Sequence, residues 1–129
     1  MSVRYAVIVC FGGLTFVGGT ALSQPLLLPY PAKPVRVVIP FPPGGSTDIV
    51  GRIVFQKLTE LMGQPFLIDN RSGAGGTLGT ALVAQSKPDG YTLLVQSVAS
   101  HVSNAHLYKK LPYDALADFA AVAPMTRLA

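Results

Sequence analysis

The chain has 129 residues, a length suited to one domain; half of them are hydrophobic, 12% are charged, and the formal net charge is +4. That apolar content fits a packed core and argues against disorder. The positive charge is scattered, with Lys109-Lys110 the one adjacent basic pair and no aromatic residues interleaved in a basic stripe, which argues against a nucleic-acid footprint.

Much of the apolar excess lies at the start. Arg4 gives Met1 to Ser23 a positive n-region, Tyr5 to Val17 is almost unbroken apolar sequence, and Ala21-Leu22-Ser23 offers small residues where a signal peptidase reads. Residues 1–23 are therefore expected to be a cleaved export signal ending near Ser23, the alternative being an uncleaved anchor helix. Cys10, the single cysteine, falls within this segment, so the mature chain would carry no disulfide, thiol nucleophile or cysteine metal site. Residues 24–34, with Pro25, Pro29, Pro31 and Pro34, predict an extended lead-in rather than a helix.

Val35 to Ile39 is a β-branched run that predicts a strand, and Phe41 to Ser46 (FPPGGS) predicts a shaped loop. Thr47 to Met62 switches to a helical period, with Ile49, Val50, Ile53, Val54, Leu58 and Leu61 forming the expected apolar face, Ser46 or Thr47 the cap and Gly63 the stop. A second strand is expected over Pro65 to Asp69, then a glycine-rich loop over Asn70 to Gly76. A second helix follows over Thr77 to Ser86 with Leu78, Ala81, Leu82 and Gln85 on one face. Lys87-Pro88-Asp89-Gly90 reads as a turn and Tyr91 to Gln96 as a third strand. Ser97 to Ser103 reads as irregular, Asn104 to Lys110 as one or two helical turns, and Phe119 to Met125 as the start of a fourth strand, with Pro124 against a central one.

This order, β-α-β-α-β with short elements, is the pattern of an α/β fold with a parallel sheet. Right-handed crossovers bring the loops after the strands, at 41–47, 70–77 and 97–103, to one edge, where such sheets bind ligands. In the first loop, Gly44 and Gly45 permit close approach of the backbone, and the following helix presents unpaired N–H groups suited to an anion. Asp48 complicates that reading: it suits the helix dipole and would repel an anion in direct contact, while it could receive an ammonium group. Arg71 could pair with a ligand carboxylate or with Asp69. The second loop, Gly73-Ala74-Gly75-Gly76-Thr77-Leu78-Gly79, misses the dinucleotide fingerprint because residue 78 is leucine. Ser97, Ser100 and His101 could hydrogen-bond a polar ligand. His101 and His106 are five apart, wrong for one helical face, so no metal is expected; nor is any cofactor.

Five motifs in order carry a resemblance: YPAKPVRVVIPFPPGGSTDIVGR (Tyr30 to Arg52), MGQP (Met62 to Pro65), DNRSGAGG (Asp69 to Gly76), KPDGYTLL (Lys87 to Leu94) and LYKKLPYD (Leu107 to Asp114). Together they resemble the Bug receptors, periplasmic substrate-binding proteins of tripartite tricarboxylate transporters. The resemblance implies a two-domain Venus-flytrap α/β fold, of which residues 35–129 would form part of the first domain, with the second domain absent. It implies a receptor for small carboxylates (a di- or tricarboxylate or an amino acid), not an enzyme. By matching position, Phe41, Gly44, Gly45, Thr47 and Asp48 would clasp the ligand, and Gly75, Gly76, Ser97 and His101 would lie near the cleft. Implied partners are the membrane subunits of the transporter and, in a sensory role, a membrane kinase. The location implied is periplasmic. Ser72 stands where the family usually has proline, and Ser97 and Ser100 where threonine is common. Two other expectations stand beside this one: a non-functional fragment of such a receptor, and an exported α/β enzyme.

Overall fold

The structure, a computed structural model, describes residues 29–126. The expected signal, its cleavage point and residues 24–28 of the proline-rich lead-in lie outside the described residues. Three strands, β1 (Val35–Ile39), β2 (Phe66–Asn70) and β3 (Thr92–Leu94), alternate with three helices, α1 (Ser46–Met62), α2 (Thr77–Ala84) and α3 (Val98–Leu107); a short 3-10 turn, Ala74–Gly76, precedes α2. The expected α/β fold is present, and β1 pairs in parallel with both neighbours in the order β2-β1-β3. The registers are Val37 opposite Ile68 on one side and Leu93 on the other.

As the middle strand of a parallel sheet, β1 is covered on both faces, which is why four of its five residues are β-branched; the exception, Arg36, is half-buried and pairs with Asp69. Val35, Val37, Val38 and Ile39 are all fully buried. Strand alternation sends Val37 and Ile39 into a cluster with Phe55 of α1 and Val95, flanked by Leu58, Phe66, Ile68 and Leu93. The opposite face meets α2. There Gly79 brings the helix so close that a Cβ would stand 2.7 Å from the Arg71 carbonyl oxygen and 2.8 Å from Pro40 Cβ. A short αL stop at Gly63, whose N–H donates to the Thr59 carbonyl, ends α1 as expected.

Several local expectations need correction. The face of α1 that meets the sheet carries Asp48, Gly51 and Phe55, while Ile49, Ile53 (66% exposed) and Leu61 (71% exposed) face outward. Gly51 decides this rotation, because its missing side chain leaves room for Ile39 Cδ1, 2.9 Å from where a Cβ would be. On α2, likewise, Leu78 is exposed and Thr77, Gly79, Thr80 and Ala81 are buried. The α1 cap is Gly45, with no side-chain hydrogen bond, in place of the expected Ser46 or Thr47. The segment expected to be irregular at 97–103 belongs to α3. Its start is capped by Ser97, whose hydroxyl oxygen accepts from the Ser100 N–H at 3.3 Å. No fourth strand forms over the described residues 119–126; Phe119 packs edge-on against His101 and Tyr113, and Met125 packs on the core cluster.

The lead-in residues are fastened at the far end of the sheet, away from the loops that follow β1 and β3. The Tyr30 hydroxyl donates to the Gly90 carbonyl at 2.7 Å, the Ala32 N–H donates to the Tyr91 hydroxyl at 3.0 Å, and Lys33 Nζ lies 4.2 Å above the Tyr91 ring. The motifs around Tyr30 and Tyr91 thus form one structural clasp.

Candidate functional site

The strand order locates the site. From β1 the chain moves to β2 on one side, then crosses back to β3 on the other, so the order reverses beside β1. The loops leaving β1 and β3 diverge there and leave a crevice at the carboxyl ends of the strands. An open cleft of about 380 Å³ occupies that position, lined by Phe41, Pro42, Gly45, Ser46, Thr47 and Ser97. Its polar groups are the α1 N-terminus and the hydroxyls of Ser46, Thr47 and Ser97. The first N–H groups of a helix have no acceptor within it and carry a partial positive charge, so the cleft is suited to an anion without a basic side chain in its wall.

Glycine gives the loop its shape. Gly44 has φ +86°, a left-handed conformation that side chains rarely adopt, and Gly45 is extended. The Gly44 N–H donates to Asp48 Oδ2 at 2.9 Å, closing the loop on the first turn of its own helix. Arg52 Nε donates to the same oxygen at 2.9 Å, and Asn70 Nδ2 donates to Asp48 Oδ1 at 2.9 Å. Asn70 also donates to the Phe41 carbonyl at 3.1 Å, and its own side-chain oxygen lies 3.2 Å from Arg52 Nη2. Asp48 is only 2% exposed, and its oxygens are met by three donors. The Arg52 hydrogen bond, then those from Gly44 and Asn70, hold its carboxyl well below the usual carboxylate range in spite of burial.

The structure brings together part of the expected site. Phe41, Gly45, Thr47 and Ser97 line the cleft. Gly44 and Asp48 lie behind it and set the loop. Gly75 and Gly76 follow β2 and are not in the cleft wall. The Gly75 carbonyl accepts from Asn104 Nδ2 at 3.1 Å, and Gly76 packs against Phe41 and Pro40. His101 faces the chain's later segment. Its Nε2 is 2.7 Å from the Ala115 carbonyl, which can only accept, so Nε2 carries the proton. Arg71 pairs with Asp69 at 2.8 Å, and Arg36 meets the other oxygen of that carboxylate. Arg36 foremost holds the Asp69 carboxyl below its ordinary range.

Sequence reasoning missed Pro42 and Ser46 in the wall, and Arg52 and Asn70 behind it. The i, i+4 spacing of Asp48 and Arg52 was a visible signal for an ion pair on one helix. Nothing local marks Asn70, whose role depends on β2 lying beside β1.

The family described as tripartite tricarboxylate transporter family receptor matches residues 50–129. The chain belongs to that family. Among its relatives, BugT of Bordetella pertussis is 39% identical over 109 residues, 83% of this chain and 33% of BugT. Among solved structures, the periplasmic binding protein BugD superposes with a TM-score of 0.66 at 39% identity, over 70% of this chain and 30% of BugD. MatC of Rhodopseudomonas palustris, solved with bound malate, gives 0.66 at 42% identity over 70% of this chain and 31% of MatC. The chain spans about a third of the length of the curated relatives it matches.

Proposed function

We propose that this chain is the ligand-clasping part of an exported receptor for small carboxylates that serves a tripartite tricarboxylate transporter. The observation that carries the reading is the cleft at the reversal of strand order. A glycine loop and a helix N-terminus meet hydroxyl groups there, in a chain of a receptor family. A ligand carboxylate accepts from the N–H groups of Ser46 and Thr47 and from nearby hydroxyls, with Phe41 as the apolar wall. Gly45, Thr47 and Ser97 touch the ligand, Gly44 and Asp48 shape the loop, and Gly75, Gly76 and His101 support it from outside. Malate bound to the related MatC favours this ligand class.

The rest of the reading is supported by the signal-like pattern of residues 1–23 and by the family. Residues 1–23 direct export to the periplasm and are removed, a second lobe closes over the cleft as in Venus-flytrap receptors, and the closed form engages the transporter's membrane subunits. Among the described residues no helix is long and apolar enough to cross a membrane.

The test is a titration of the ¹⁵N-labelled protein with malate at millimolar concentrations. Saturable shifts confined to the amides of Gly45, Ser46, Thr47 and Ser97 are expected. Shifts elsewhere, or none, defeat the proposal.

A further inference from the structure

Asp48 poses an electrostatic problem for a cleft that takes anions. It stands on the first turn of α1, the same turn whose N–H groups face the cleft, and an uncompensated carboxylate there repels an anionic ligand. The structure resolves the conflict from behind. Arg52, one turn further along α1 and outside the cleft wall, donates from Nε to Asp48 Oδ2 at 2.9 Å, and its Nη2 lies 3.2 Å from Asn70 Oδ1. Asn70 in turn holds both Asp48 Oδ1 and the Phe41 carbonyl. Among the described residues, Arg52 is the one cation in contact with Asp48.

We propose that Arg52 is the positioning residue that makes this cleft accept an anion: it neutralises Asp48 and, through Asn70, steadies the loop from Phe41 to Gly45. The inference rests on the carboxylate-receptor reading and assigns the control of charge at that site to a residue that never touches the ligand. The planar guanidinium reaches Asp48 and Asn70 from two nitrogens at once, whereas a lysine supplies the charge from one.

The experiment compares malate titrations of the wild type, Arg52→Gln, Arg52→Lys and the double variant Asp48→Asn/Arg52→Gln, read at the Gly45 to Thr47 amides. Arg52→Gln weakens malate binding by about tenfold or more, because Asp48 is left uncompensated near the ligand. The double variant removes both charges and regains most of the affinity, and Arg52→Lys stays within roughly threefold of wild type. A merely structural role makes the double variant no better than Arg52→Gln, and that result overturns the proposal, as does wild-type affinity in Arg52→Gln. If Arg52→Gln alone does not fold, Arg52→Lys decides, and a loss of about tenfold there overturns the charge role. If the wild type binds no malate, the carboxylate reading fails separately. The role of Arg52 is then judged without ligand, from the titration of the Asp48 carboxyl carbon and the exchange of the Gly44 amide. A raised Asp48 midpoint and faster Gly44 exchange in Arg52→Gln support it, and no change in either overturns it.

Discussion

Asp48 shows how one residue type carries opposite meanings until its partners are known. As a free first-turn carboxylate it reads as a possible receiver of an ammonium group. Buried against Gly44, Arg52 and Asn70, it shapes the loop, and its acceptor capacity is taken. Its pH dependence follows from that pairing. The folded-state value is depressed, so the stabilisation is fully present above the ordinary carboxylate value near 3.8 and is lost as pH falls below it towards the folded-state value. Asp69, Asp89 and Asp114 are also lowered and titrate in the same direction. Acid melts should therefore show a flat melting temperature between pH 7 and 5, as far as these groups are concerned, and a fall below about pH 4. Asp48→Asn is expected to lower the melting temperature at neutral pH and to make that acid slope shallower without abolishing it. An unchanged slope means that Asp48 is not paired as described.

Among the elements, α2 is the one whose placement depends most on a missing side chain. A Cβ at Gly79 meets backbone at 2.7 Å and the rigid ring of buried Pro40 at 2.8 Å, and neither can move aside cheaply. Gly79→Ala is expected to destabilise the fold by about 2 kcal/mol, the cost of overpacking a close contact, measured by denaturant unfolding. Gly51→Ala provides the contrast: its Cβ meets only the end of the Ile39 side chain, at 2.9 Å, which can change rotamer. A smaller loss is expected there, and equal losses at the two positions argue against the backbone contact. The same elements show how far the sequence could be read. Strand and helix centres were legible because their signals are local: a β-branched run at Val35 to Ile39, paired glycines and prolines after it, a helical period to Met62. The face that α1 buries was not, because Gly51 and Phe55 win the sheet contact by shape, while Ile49 and Ile53 follow the same period one step round the helix. Nor was the first part of α3, Val98 to Ser103, whose serines and β-branched residues are weak helix formers, although the helical turn from Asn104 was expected; Ser97 caps the helix, and the Asn104 and Tyr108 side chains hold it to the loop at Ala74 and Gly75.

At the scale of the whole molecule, the described residues form a three-stranded sheet that leaves many large apolar side chains exposed. Ile49, Ile53 and Leu61 of α1, Val98 and Val102 of α3, and Leu116 are all exposed. Exposed large apolar side chains in this number bind hydrophobic dyes and promote association. The double variant Ile53→Lys/Leu61→Lys is expected to reduce dye fluorescence and concentration-dependent scattering, with stability changed by no more than about 0.5 kcal/mol per site. A large loss of stability would mean that these side chains are packed rather than free.

The amino-acid sequence alone determined the order of elements from β1 to β3, the parallel α/β class, the glycine loop before the first helix, and the motifs shared with the receptor family. These depend on periodicity, turn chemistry and residue identity over short distances. Only the tertiary structure decided which loops share an edge with an open cleft. The strand order β2-β1-β3 sets the loops after β1 and β3 apart, and α3 packs on the turn after β2, so Ser97 lines the cleft with Phe41, Gly45 and Thr47, whereas Gly76 packs on Phe41 from outside the wall and Gly75 and His101 face other contacts. The same order places Asn70 beside Asp48, 22 positions away in the chain. Contacts between residues so far apart follow from how strands pair and helices cross, and no local pattern encodes them.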